Sequence, residues 1–187
     1  MSVTIVSGVP GVGTSRVCEE TRRRHDELIL INVGDVMLEQ AVERGLTTDR
    51  EELASLPLRD QLELRRRAGE YVARRADGES LLVSTHFVVK TAAGFIPGFD
   101  TTLLDDIDPD QFVVIDAPTA TILDRRADSD YRHYGADTGD AIEFQRQLQA
   151  GAAMTYAFQT GTPIRYISNT DSVDAASEEL AAAVDHV

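Results

Sequence analysis

Lysine is almost missing from this chain of 187 residues: Lys90 stands alone among 18 basic side chains, and the rest are arginine. Cysteine is as scarce. Cys18 is the sole thiol, which excludes an internal disulfide and a cysteine metal cluster. No apolar run approaches the roughly 20 residues that span a bilayer. Met1 to Ser7 has neither a basic stretch nor a long apolar segment, so neither a signal peptide nor a membrane partner is expected. Positive charge is short as well, with 18 Lys plus Arg against 32 Asp plus Glu and a formal net charge of -14. A nucleic-acid groove needs the opposite field, so nucleic acid is not an expected partner. The same carboxylate excess suits either a halophilic protein in a salt-rich cytoplasm, where self-repulsion is screened, or simply an acidic mesophilic one. The length fits one domain with one core.

What the sequence does hold is a regular alternation. Short apolar runs at Val3–Ser7, Leu28–Asn32, Leu81–Thr85, Phe112–Asp116 and Pro163–Ile167 read as five strands. Helical periodicity covers Thr14–Arg24, Asp35–Arg44, two stretches of Arg50–Ala76 broken before Pro57, Thr119–Ala127, Asp140–Thr160 and Ser172–Val184. Strands alternating with helices predict a three-layer α/β fold, a five-stranded parallel sheet covered on both faces. Residues 128–139, rich in Asp, Tyr, Arg, His and Gly, read as an excursion or small lid.

The sharpest motif opens the chain. Gly8-Val9-Pro10-Gly11-Val12-Gly13-Thr14-Ser15 follows the P-loop pattern G-x-x-x-x-G-K-[ST] except at the lysine, where Thr14 stands. Glycines at this spacing let successive backbone N–H groups turn toward a phosphate, and the following helix adds its positive end. Ser15 takes the place of the hydroxyl that ligates the magnesium of ATP. Thr14 donates a hydrogen bond but brings no charge. Arg16, in the first helical turn, either turns back toward the phosphates or is a solvated helix arginine.

Beyond the loop, the segments Asn32-Val33-Gly34-Asp35-Val36-Met37, Glu43-Arg44-Gly45-Leu46, Thr85-His86, Lys90-Thr91 with Gly94-Phe95-Ile96-Pro97-Gly98, and Ala152-Ala153-Met154-Thr155-Tyr156 recur in a telling order. Together they make nearly the whole chain resemble the archaeal type of adenylate kinase. The resemblance implies a doubly wound P-loop fold that catalyses ATP + AMP ⇌ 2 ADP with magnesium, in an enzyme that is often trimeric. It implies that the P-loop holds ATP, that the segments after the second and third strands hold AMP, and that the excursion closes over ATP. On the AMP side the candidates are Gly34, Asp35, Met37, Thr85, His86, Lys90 and Gly98. Three charged positions depart from the family pattern: Thr14 replaces a lysine, Ser84 an acidic residue, and Ala150 an arginine.

Phosphoryl transfer needs positioning and positive charge rather than a covalent residue. Arg125, Arg126, Arg132 and Arg146 are the expected charges, because a planar guanidinium grips two phosphate oxygens. Each also reads as a surface arginine paired with the plentiful carboxylates. Asp116, at the end of the fourth strand, is a candidate magnesium carboxylate; Asp35 opens the second helix and reads either as an AMP-side residue or simply as that helix's N-cap. His86 follows the third strand, where ligands of open α/β sheets collect, or is a satisfied strand-end histidine. The lost charges keep two other readings open: a nucleotide sensor with weakened catalysis, and a P-loop kinase for another small acceptor.

Overall fold

The computed structural model describes residues 1–91, 94–99, 101–128 and 138–187. The apolar runs form a parallel sheet of β1 (Val3–Ser7), β2 (Leu28–Asn32), β3 (Ser80–Thr85), β6 (Gln111–Asp116) and β7 (Ile164–Ser168), in the order β2-β3-β1-β6-β7. β1 is buried along its whole length, as a central strand covered on both faces must be. In register, Ile5 lies between Val83 and Phe112.

The pleat divides the core in two. Val3 and Ile5 face a cluster with Leu64, Ala68 and Val72 of α3 (Leu58–Ala76), Met37 of α2 (Val33–Glu43) and Tyr156 of α6 (Gly139–Thr160). Val6 faces Val17 and Cys18 of α1 (Thr14–Arg24), Ile122 of α5 (Thr119–Ala127) and Leu180 of α7 (Val173–Val184). This is the expected three-layer P-loop architecture. Among the described residues, no helix is long and apolar enough to cross a membrane.

Three details differ from the sequence expectation. Between β3 and β6 the chain adds an antiparallel hairpin, β4 (Val88–Thr91) with β5 (Gly94–Pro97), and a short helix α4 (Thr101–Ile107). Four-residue arms are too short to declare a period, so this hairpin has no signature of its own. The first of the two helices expected in Arg50–Ala76 is a 3-10 turn over Glu51–Ser55, since only five residues precede the extended Leu56 and Pro57. Helix α2 starts at Val33, and its cap is Asn32, whose Oδ1 accepts from Gly34 N at 3.0 Å; the cap reading for Asp35 is thereby corrected. Of the lid expected over 128–139, residues 129–137, with Arg132, lie outside the described residues, while Thr138 caps α6 and Gly139 begins it.

Candidate functional site

The loop between β1 and α1 bends at two left-handed glycines, Gly11 with φ 91° and Gly13 with φ 97°. Side chains from elsewhere then seize its carbonyls. Arg126 donates to Pro10 O from Nε at 2.9 Å and from Nη2 at 2.6 Å. Arg125 Nη1 donates to Val12 O at 3.0 Å, and Asn169 Nδ2 joins it there at 2.8 Å. His86 Nδ1 lies 2.9 Å from Gly8 O. In a trans peptide the N–H points opposite to the C=O. Drawing the Pro10 and Val12 carbonyls outward therefore turns the N–H groups of Gly11 and Gly13 into the loop. Val9 and Val12 anchor the loop in the core. Ser15 and Arg16 are exposed on the first turn of α1, which carries no acidic residue. Thr14 Oγ1 is buried with no partner among the described residues, in a loop built to receive acceptor oxygens.

The expected arginines divide by role. Arg125 and Arg126 brace the loop's backbone from outside. Arg146 grips Asp116, Nε to Oδ1 at 2.8 Å and Nη2 to Oδ2 at 2.7 Å, and reaches Glu143 at 2.5 Å. Tyr166 adds its hydroxyl to Asp116 Oδ2 at 2.8 Å. Burial pushes the Asp116 carboxyl upward, but hydrogen bonds from Arg146, Tyr166 and the Ala117 N–H outweigh it and hold it below the usual carboxylate range. The same pair raises the Arg146 guanidinium above its usual value. Asp116, read from sequence as a magnesium carboxylate, and Arg146, read as a phosphate ligand, thus satisfy one another here. Their positions at the ends of β6 and along α6, 30 residues apart, make the pair invisible to motif spacing.

On the other side of the P-loop a cleft of about 340 Å³ is lined by Ser15, Asn32, Asp35, Tyr71, Arg75 and Ser84, among others. Ser15 belongs to both the loop and the cleft, so the two are contiguous. Asp35 is paired with Arg50, whose Nη2 also donates to Asn32 Oδ1 at 2.9 Å. A Cβ on Gly34 would come within 2.5 Å of that same Nη2, so a side chain there would displace the Arg50 guanidinium from Asn32. Met37 is buried against the core, where it packs rather than lines the cleft. Thr85 ends β3, and Lys90 is exposed on β4 opposite Phe95. Gly98 is fixed by crowding: a Cβ would stand 1.7 Å from His86 O. Ser84 hydrogen-bonds the buried Cys18, whose thiol burial nonetheless pushes up to about 12.

Two positioning residues escaped the sequence reading. Gln149 Oε1 accepts from Ser7 Oγ at 3.0 Å, Phe87 N at 3.0 Å and Val88 N at 3.2 Å, while Nε2 donates to Val88 O at 2.9 Å. It ties the end of β1 to the start of β4. Asn169 directly follows β7, and that place at the carboxyl end of a sheet strand was the one signal that could have found it. Gln149 carries no such signal, being one polar residue in a long helix.

A family model described as an AAA domain matches residues 7–143. The adenylate kinase of Methanothermobacter thermautotrophicus is 35% identical over 181 residues, covering 96% of this chain and 97% of its own. That of Methanopyrus kandleri is 38% identical over 171 residues, covering 90% of each. Among solved structures, shikimate kinase from Bacteroides thetaiotaomicron superposes with a TM-score of 0.61 at 14% identity, covering 98% of both chains; this likeness concerns the fold.

Proposed function

The chain belongs to the adenylate kinase family of P-loop kinases, and from that premise we propose how its residues divide the work. The reaction is phosphoryl transfer from ATP to AMP, and the enzyme is a nucleoside monophosphate kinase. Gly8, Val9, Pro10, Gly11, Val12, Gly13, Thr14, Ser15 and Arg16 take the phosphates of ATP. The observation that carries this is the outward pinning of Pro10 O and Val12 O by Arg126, Arg125 and Asn169. Inward N–H groups and the acid-free start of α1 supply partial positive charge where the lysine is missing. Magnesium enters as part of the MgATP substrate. The exposed Ser15 hydroxyl fits it, being a hard oxygen beside the cleft, and Asp116 reaches it only by exchanging Arg146. Freed in the same exchange, Arg146 joins Arg132 as charge for the transferring group.

AMP occupies the cleft side, against Gly34, Asp35, Thr85, His86, Lys90 and Gly98, with Met37 packing beneath. Self-association is part of the same reading. Phe144, Met154 and Phe158 are exposed along one face of α6, and Phe95 packs edge-on to Phe144 at 5.7 Å. A homotrimer would cover that face, and sedimentation equilibrium in the analytical ultracentrifuge reads its mass. A cytoplasmic location is part of the same reading, supported by the single buried thiol of Cys18. The deciding experiment is a coupled assay in concentrated KCl with MgATP and a panel of acceptors. AMP should be the preferred acceptor; turnover no faster than the enzyme-free blank would end the kinase reading.

A further inference from the structure

Arginines on the middle of α3 mostly find carboxylates. Arg66 bonds Glu63 and Glu70, and Arg67 bonds Glu63 at 2.7 Å. Arg65 does not. Among the described residues its Nη1 is a buried donor with no hydrogen-bond partner, and Nη2 meets a neutral Gln61 Oε1 at a long 3.4 Å. Burial lowers its pKa, with no anion acting in the other direction. Arg65 is half-buried, and even partial withdrawal of a cation from water without an anionic partner costs free energy. In a chain with 32 acidic residues, the absence of one here among the described residues is a feature to be explained.

Its place in the fold supplies the explanation. Helix α3 lies on β3 through Leu64, Ala68 and Val72, and a short turn joins the two. Arg65 precedes the end of α3 by about 11 residues, or about 16 Å at 1.5 Å per residue. The six residues of β3 climb about the same distance at 3.3 Å each. The Arg65 side chain therefore stands level with the carboxyl end of β3, at Ser84 and Thr85, and leans further that way as helical side chains do. That end of an open α/β sheet is where ligands collect. One turn earlier on the same face, Gln61 Nε2 holds Ala54 O at 3.0 Å and Leu56 O at 2.7 Å. It thereby fixes the 3-10 turn, which packs against β4, the strand that carries Lys90.

We propose that Arg65 anchors the phosphate of the acceptor monophosphate, its guanidinium fork supplying charge-assisted hydrogen bonds to two phosphate oxygens. The proposal rests on the AMP-phosphorylating reading above. It makes two opposed demands on one residue: removing Arg65 relieves a buried unpaired charge and at the same time weakens acceptor binding.

The test uses wild type, Arg65→Gln and Arg65→Lys in the same high-salt buffer. KM is measured for AMP and for ATP separately, and thermal unfolding is followed with and without AMP alone. Arg65→Gln should raise the KM for AMP about 10- to 100-fold, the range for a lost hydrogen bond to a charged group. The KM for ATP should stay within twofold, the ligand-free Tm should hold or rise, and the AMP-induced rise in Tm should vanish. Arg65→Lys, a point charge without the fork, should fall between. An AMP KM and AMP-induced Tm shift within twofold of wild type would overturn the proposal. So would a lowered ligand-free Tm with both KM values rising in parallel, which marks a structural role. If Arg65→Gln does not fold, Arg65→Lys decides by the same readings. Wild type without turnover would defeat the kinase reading alone, because AMP stabilisation still reports on Arg65.

Discussion

At Gly13 a single hydrogen atom carries the shape of the loop. A side chain there would be strained by φ 97° and would meet Asn169 Nδ2 at 2.6 Å, the atom that holds Val12 O. Gly13→Val should abolish ATP binding in calorimetry while the far-UV circular dichroism stays native; retained affinity would remove the loop from the mechanism. Thr14→Lys restores the missing ammonium. We expect a gain in kcat below about tenfold, because a needed but absent cation would be worth about 10³-fold or more. Cys18 gives a signature in pH. Its thiol titrates near 9.0 unfolded and at about 12 folded, so the folded state holds the proton more tightly. The thiol adds no pH dependence below about pH 9; above it, its contribution lowers stability by about 1.4 kcal/mol per pH unit until the folded thiol ionises. Urea melts of wild type and Cys18→Ala should diverge in that window, and parallel curves would show that the thiol is not shielded. Arg65, Arg66 and Arg67 are alike in sequence, and only the 3.6-residue phase of α3 turns the first inward and the others out.

The elements that carry the site differ in how plainly they announce themselves. The inner sheet strands were legible because parallel strands covered on both faces must be continuous apolar runs, and the edge strand Leu28–Asn32 falls on the observed boundaries. The hairpin and α4 were not, since their order comes from contacts with distant residues. Gln149 of α6 and Tyr156, whose hydroxyl donates to Phe87 O at 3.1 Å, pin the hairpin's root from across the molecule. The P-loop was legible down to its register, but its braces were not: Arg125 and Arg126 lie more than 110 residues from the carbonyls they hold. Gln149→Met keeps the volume and removes the polar end. It leaves the N–H and C=O of Val88 without their partner, and should cost about 2–4 kcal/mol in denaturant melts. The KM for AMP should rise with it, because β4 carries Lys90. A loss under 1 kcal/mol would show that water replaces the clamp.

Over the whole molecule, 14 uncompensated negative charges repel one another. Screening shortens their reach from about 10 Å at 0.1 M salt to about 3 Å at 1 M. The exposed pairs Arg66–Glu63 and Arg67–Glu63 weaken under the same screening, but solvent-exposed pairs of this kind contribute little to stability. Net repulsion wins, so Tm should climb with KCl, with most of the rise complete by about 1 M. A flat or falling curve would refute the halophilic reading. The position of β1 at the centre of the sheet also sets a timetable for synthesis. Its two neighbours, β3 and β6, lie about 78 and 107 residues further along the chain. A ribosome adding about 5–20 residues per second needs about 5–20 s to make the second of them. Until then the first strand has one side or both unpaired, and the loop that follows it lacks the arginines that shape it. A nascent chain therefore gains no protection from ATP during most of its translation, and any chaperone that shields Val3–Ser7 must hold it for that interval.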